Sequence, residues 1–458
     1  MSYAAVTTSR LREILSGTSL TSRVMRSSAF TVMGYGFSQG LRLLGNLLLT
    51  RLLFPEAFGL MALVTVFMVG LQMFSDFGIG PAIAQSKRGD DQIFLNTAWT
   101  VQILRGAILF LIGCALAYPA SLIYGEPLLF GLLILASVQF LISGFIPTRR
   151  DTAGRHLRLG HVTLIEMTSQ TIGLISMISL AFWTRSVWSL VVGMVIGTIA
   201  QTILMTIFLP GQRNRLRWEN NAIHELIHYG KWIFLSTVCG FAVAQGDKLV
   251  LGKFLPLDSF GIYNIGFFLG SFSLLLGMMV TGRILIPVYR DRPPATSREN
   301  FLKLRKLRGL VTLGILSLLL IVAYSGVWLV ELMYDVRYQD AGAVVVLIAC
   351  LQIPVAIGLT YDQAALAAGD SKRFFIVTFV KAFLTITGLL IGVQTYGLIG
   401  ALAGQALAII LAYPALVWLS VKIGVWDPLH DLGFAIIGLC LAAGAIWYNW
   451  AAISALAA

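Results

Sequence analysis

From residue 28 to residue 450 the chain alternates between long apolar runs and short polar breaks. A helix needs about 20 mainly apolar residues to cross a bilayer. Runs of that kind fall at 28–50, 58–84, 94–118, 128–147, 162–183, 187–209, 230–252, 260–285, 307–330, 341–362, 374–394, 398–420 and 432–450. They predict about thirteen transmembrane helices, joined by short connections with no soluble domain between them. The first run is the least uniform. Ser28, Thr31, Tyr35, Gln39, Arg42, Asn46 and Thr50 recur at steps of three and four. At 100° per residue they lie within about 100° of one another on a helix. Hydrocarbon cannot satisfy such a stripe, so it must face protein or water.

Composition supports the membrane reading. Of 458 residues 57% are hydrophobic and only 12% charged, with mean hydropathy +0.84, whereas soluble domains carry about 25% charged residues. The formal net charge of +12 would suggest nucleic acid in a soluble chain, but its distribution explains it otherwise. With the N-terminus in the cytoplasm, the inner loops hold about six times as many Lys and Arg as the outer ones. Arg149, Arg150, Arg155 and Arg158 fill one inner loop, and Arg213, Arg215 and Arg217 another. No nucleic-acid partner is needed. Residues 1–26 are polar and basic without an early apolar core, so no cleavable signal peptide is expected. Thirteen spans would leave the C-terminus outside. Cys114, Cys239, Cys350 and Cys440 all sit in apolar runs; they read as small buried residues rather than a disulfide or metal set.

The chain repeats itself. Arg51-Leu52-Leu53-Phe54-Pro55-Glu56-Ala57-Phe58-Gly59-Leu60 follows the first run, and Lys253-Phe254-Leu255-Pro256-Leu257-Asp258-Ser259-Phe260-Gly261-Ile262 follows the seventh. The two align without gaps, each keeping base, apolar pair, acid and Phe-Gly in register. An even number of spans separates them, which implies two parallel six-helix lobes related by an axis along the membrane normal. The expected division is 1–27 as a cytoplasmic segment, 28–209 as the first lobe and 210–229 as a linker. The second lobe is 230–420, and 421–458 carries one extra transmembrane helix. In the linker, Ile223, Leu226 and Ile227 form an apolar face beside His224, Glu225 and His228, which predicts an amphipathic helix lying on the inner membrane surface.

Together the two-lobe pattern, the Arg51–Leu60 turn, the Gly246-Asp247-Lys248-Leu249-Val250-Leu251-Gly252-Lys253 stretch and the basic interfacial helix resemble one family. It is the polysaccharide transporters of the MOP superfamily, the Wzx-type oligosaccharide flippases, and the resemblance covers about residues 24–420. It implies an all-α, MOP/MATE-like transporter rather than an enzyme, in the bacterial cytoplasmic (inner) membrane. The implied substrate is an undecaprenyl-diphosphate-linked oligosaccharide, moved to the periplasmic leaflet by alternating access for O-antigen, capsule or exopolysaccharide synthesis. The implied partners are that glycolipid, membrane lipid and the polymerase or chain-length machinery. No cofactor is implied beyond a coupling H+ or Na+.

Charged residues inside spans are costly, about 2.5–3.5 kcal/mol each at mid-membrane, and are functional candidates by default. Arg42, Arg105, Lys248, Arg283 and Lys381 could form a basic ladder for a diphosphate, arginine by bidentate contact with phosphate oxygens. Gln39 and Asn46 flank Arg42 on the polar stripe. The resemblance places helices 1, 2, 7 and 8 around the central cavity, which favours Arg42, Lys248 and Arg283. Lys248 could instead pair with Asp247 or snorkel outward, and Arg283 could snorkel inward. Asp76, Asp247 and Asp362 are candidates for ion coupling, or else neutralise nearby bases. Asp76 sits in Ser75-Asp76-Phe77-Gly78-Ile79-Gly80-Pro81, a potential hinge at the inner end of the second helix.

Three rivals remain. His224-Glu225-Leu226-Ile227-His228 matches the H-E-x-x-H zinc motif, but no third ligand follows at a usual spacing. A polytopic glycosyltransferase or polymerase would need a large extramembrane loop with catalytic residues, and the longest outer loop is about ten residues. A MATE-type exporter of cations would call for a more acidic or apolar interior.

Overall fold

The computed structural model describes residues 20–75, 78–230, 234–291, 293–368 and 370–457. Among them the regular structure is helical, with no strand. In chain order the α-helices are α1 (Leu20–Leu52), α2 (Pro55–Phe74), α3 (Ile79–Gln85), α4 (Gln92–Tyr124), α5 (Pro127–Gly144), α6 (Arg149–Arg155), α7 (Leu159–Thr184), α8 (Trp188–Phe208) and α9 (Asn220–Gly230). There follow α10 (Phe234–Phe254), α11 (Leu257–Gly270), α12 (Phe272–Asp291), α13 (Arg298–Met333), α14 (Ala341–Leu351), α15 (Ile353–Ala368), α16 (Ser371–Ile423), α17 (Pro428–Tyr448) and α18 (Trp450–Ala457).

Among the described residues, eight helices are long and apolar enough to cross a membrane, or up to ten if each of two bent pairs counts as one span. The bent pairs are α11 with α12 and α14 with α15, at 43° and 44°. α16 covers two of the predicted runs. It breaks where they were divided, at Tyr396 and Gly397, whose φ of 56° and ψ of −135° lie in a region that glycine alone adopts freely. Leu111, Ile175, Ile207, Leu310 and Leu439 are each more than half exposed. Apolar surface on that scale is a surface for lipid, and the chain is a multi-pass membrane protein.

The helix ends follow local chemistry. Asp91 caps α4 by accepting from the Ile93 N–H, Ser297 caps α13 through Asn300 N–H, and Asp370 caps α16 through Arg373 N–H. α17 combines an Asp427 cap, accepting from His430 N–H, with Pro428 at its first position.

The chain forms two compact units. The first comprises Met1–Leu53 and Phe67–Phe234, and the second Phe54–Val66 and Leu235–Ala458. In the first unit, α7 packs on α8 and on α1, and α4 packs on α5. Glycines permit the close approach. A Cβ at Gly173 would press on Gly193 and Gly197, and one at Gly106 would fall on the Phe140 carbonyl. The linker belongs to this unit, and its second half is helical. Residues 210–219 run as a non-helical strap, and in α9 Ala222 and Leu226 are buried against Ile79, Ala82, Ile83, Phe94, Leu95 and Ala98. Leu226 of the expected apolar face is thus covered by α3 and the first turns of α4, while Ile223 is half-buried and the Ile227 side chain lies outside the described residues.

In the second unit the two repeated turns meet. A Cβ at Gly59 would fall on the Leu257 carbonyl oxygen, and one at Gly261 would fall on that of Pro55. Leu257 and Pro55 occupy corresponding places in the repeat, as do Gly261 and Gly59, so the crossing of α2 with α11 is reciprocal. Phe260 beside it is fully buried, and Phe58 meets Tyr338 edge-on with ring centroids 5.8 Å apart.

Candidate functional site

The polar stripe of α1 is turned inward over much of its length. Gln39 and Thr50 are buried, Thr31, Tyr35 and Asn46 partly so, and Arg42 is exposed; Met33, Leu44 and Leu48 on other faces are 46–55% exposed. The side chain of Ser28 lies outside the described residues. The stripe is stitched along the helix: Gln39 Nε2 donates to the Tyr35 hydroxyl at 2.8 Å, and the Thr50 hydroxyl donates to the Asn46 carbonyl at 2.8 Å.

One turn along from Gln39, α1 opens onto a cavity of about 400 Å³ between α1, α7 and α8. Arg42 and Asn46 line it from α1 with Ser38; Ser169 and Gln170 line it from α7; Thr198 and Gln201 line it from α8. Its remaining walls are Leu41, Leu49, Leu174, Met177, Met194 and four glycines. The volume is within the usual ~300–1,000 Å³ of small-ligand pockets. No lining residue is acidic. The cavity offers one guanidinium, several amides and hydroxyls, and apolar patches, a set that suits an anion attached to a polar, hydrogen-bonding body. Among the described side chains predicted to bind substrate, Arg42 and Asn46 are the two the cavity brings together; Gln39 sits buried beside it. Gln170, Thr198 and Gln201 were not singled out from the sequence. Their signal was the same as that of α1, polar side chains within apolar runs, Thr198 and Gln201 one turn apart.

The other intramembrane charges find different surroundings. In the first unit, the Arg105 guanidinium donates to the Ser75 hydroxyl at 3.0 Å and to the Gln72 carbonyl at 3.2 Å, gripping the last turn of α2. In the second unit, Lys381 Nζ sits 3.2 Å from each carboxylate oxygen of Asp362. Asp247, 4% exposed, accepts from the buried Tyr263 hydroxyl. Lys248 donates to Gln245 at 3.2 Å and lies 4.5 Å over the Phe267 ring. Asp76, the side chain of Arg283, and those of His224 and His228 lie outside the described residues.

At the polar rim of the first unit, ion pairs fasten the loops and strap. Arg88 bridges Asp91 at 2.6 Å and Glu219 at 2.8 Å, and Arg155 and His156 both reach Asp90. The hydrogen bond from His156 holds the Asp90 carboxyl below its usual range, and the one from Arg88 does the same for Asp91. Asn96 Oδ1 and Thr100 Oγ1, one turn apart on α4, accept the Arg215 and Arg217 backbone N–H groups at 3.0 Å. The Arg213, Arg215 and Arg217 side chains are left exposed.

The family described as Polysaccharide biosynthesis protein matches residues 48–343. Among curated relatives, the teichuronic acid biosynthesis protein TuaB of Bacillus subtilis is 22% identical over 249 residues, 54% of this chain and 51% of that one. The amylovoran biosynthesis protein AmsL of Erwinia amylovora is 23% identical over 212 residues, 45% of this chain and 55% of that one. The chain thus spans only a little over half the length of these relatives. Among solved structures, the lipid II flippase MurJ in an inward closed conformation aligns over 93% of this chain and 97% of its own, with TM-score 0.70 and 13% identity. An inward-facing multidrug resistance MATE family transporter of the MOP superfamily aligns over 84% and 94%, with TM-score 0.62 and 14% identity. At such identities these likenesses establish the fold, which is that of MOP-type transporters.

Proposed function

The chain belongs to the polysaccharide biosynthesis protein family, and from that premise we propose that it is a flippase for lipid-linked oligosaccharides in polysaccharide synthesis. Its cargo is an undecaprenyl-diphosphate-linked repeat unit, carried by alternating access from the cytoplasmic to the periplasmic leaflet of the inner membrane, with the N-terminus in the cytoplasm. The observation that carries this reading is the cavity of the first unit, which holds Arg42 and no acidic residue. A diphosphate cannot cross hydrocarbon bare. A guanidinium replaces part of its hydration with two parallel N–H···O bonds, and Asn46, Gln170, Thr198 and Gln201 offer donors and acceptors to sugar hydroxyls. Lys248, Arg105, Lys381 and Arg283 serve as secondary contacts along the path, and Asp76, Asp247 and Asp362 as sites where a coupling H+ or Na+ acts.

The MATE-like fold favours one other reading, export of a small molecule. An acid-free cavity containing an arginine is a poor host for the cations such exporters carry. The deciding experiment deletes the gene and follows lipid-linked repeat units. Their accumulation on the cytoplasmic face, with loss of one surface polysaccharide and rescue by the wild-type chain but not by Arg42→Ala, is the expected result. Normal polysaccharide display in the deletion strain would overturn the reading.

A further inference from the structure

A second polar assembly, in the other unit, has no part in the proposed transport path. It lies where the start of α17 meets α13, α15 and α16. Asp431 accepts three hydrogen bonds, from the Tyr361 hydroxyl at 2.6 Å, His430 Nδ1 at 3.0 Å and Trp426 Nε1 at 3.1 Å. The far nitrogen of the same imidazole, His430 Nε2, is 3.0 Å from the Thr312 hydroxyl. His430 is 6% exposed and Thr312 fully buried. Around this chain stand two arginines of α13. Arg305 pairs with Asp427 at 2.6 Å. Arg308, 1% exposed, donates to the Val425 carbonyl at 2.7 Å and lies 4.1 Å over the Tyr361 ring. From α16, Tyr413 packs against the cluster that contains Tyr361 and Val425. From α14, Cys350 meets Ala442, about three turns away along α17, and α18 carries no titratable side chain.

We propose that His430, held between Asp431 and Thr312, is a proton-binding site that controls how tightly α17 is clasped to α13. Three features of the geometry support this. Asp431 is surrounded by donors and so is fixed as an acceptor, which places the first imidazole proton on Nδ1. Nε2 is then the atom that gains or loses a proton. Its partner is a hydroxyl, which can donate to a neutral imidazole or accept from a charged one by rotating a single O–H. Both protonation states are therefore hydrogen-bonded without moving a heavy atom. Arg305, Arg308, Asp427 and Asp431 balance, so a proton on His430 adds the one uncompensated charge. That charge makes the Thr312 hydrogen bond charge-assisted and adds a second charge to the one with Asp431, which strengthens both. Protonation tightens the clasp, and proton loss loosens it.

The test is histidine and tryptophan ¹⁵N NMR on the full chain in lipid nanodiscs, with the His430 signals assigned by their loss in His430→Gln. Between pH 8 and pH 5, the range in which histidine changes charge, the His430 pattern is expected to pass from Nδ1-protonated to doubly protonated. The Trp426 indole should follow with the same midpoint, because it shares Asp431, and become independent of pH in His430→Gln. Thr312→Val, which removes the acceptor for the second proton, is expected to weaken proton binding about tenfold. The inference falls if His430 stays in one state across that range. It also falls if Thr312→Val leaves the titration unchanged. Should His430→Gln fail to fold, the signals are assigned in a chain with His156, His161, His224 and His228 changed to Gln, which leaves His430 as its one histidine.

Discussion

The cavity of the first unit and the charged pairs of the second surround intramembrane charge differently. In the first, Arg42 stands on a cavity among neutral amides and hydroxyls with no acid in the wall. In the second, Lys381 is matched by Asp362, Asp247 by Tyr263, and Lys248 by Gln245 and the Phe267 ring. From the sequence all of these were one kind of signal, a charge in an apolar run. The difference lies in what faces each charge. A base matched by an acid has its charge neutralised and its donors filled, so it adds to the fold. A guanidinium in a cavity wall that carries no carboxylate suits an anion. On the proposed path, that difference makes Arg42 the main contact for cargo and Lys381 and Lys248 secondary ones.

Four measurements would break or sharpen this contrast. The largest effect is expected for Arg42→Ala. It should lower flipping of lipid-linked oligosaccharide in reconstituted vesicles by about 10- to 100-fold, the worth of one charged hydrogen bond, with unchanged folding; Arg42→Lys should recover part of it. Next, Lys381→Met should cost about 1–3 kcal/mol of stability by leaving Asp362 unmatched, while the double change with Asp362→Leu should recover most of the loss. Thermal unfolding in detergent checks it, and additive losses would defeat the architectural reading. Third, Tyr263→Phe should cost about 1–2 kcal/mol, because it removes the donor to a buried carboxylate; if it abolishes transport while leaving stability intact, Asp247 belongs with the cargo after all. The smallest effect is expected at the rim. His156→Ala should return the Asp90 titration toward the ordinary carboxylate range, visible by ¹³C NMR. The His156 contact stabilises the fold above that range, and its contribution is lost as pH falls through the lowered Asp90 value.

Much of this was legible in the residues. The apolar runs marked where helices form, because backbone in lipid must satisfy itself. The steps of three and four in α1 marked the face on which Gln39 and Thr50 are buried. The two Phe-Gly turns could be matched by eye, though not that they would touch each other. The pairing of Lys381 with Asp362, nineteen residues away, was invisible, since helix–helix geometry decides it. So was the use of the α9 apolar face, because a period of 3.6 reports that a face is covered but not by what. The cluster at the start of α17 read as a loop before an additional helix. Its chemistry emerged only when α13 brought Arg305, Arg308 and Thr312 against it.

The reciprocal crossing of α2 and α11 has a genetic consequence. A methyl group at residue 59 strikes a carbonyl of the opposing helix, and one at residue 261 strikes the equivalent carbonyl in return. Either substitution wedges the same pair of backbones apart, so whichever comes second enters a gap that the other has already opened. Alanine at both positions should therefore do little more harm than alanine at one, a positive epistasis of the kind expected when two changes widen one shared crossing.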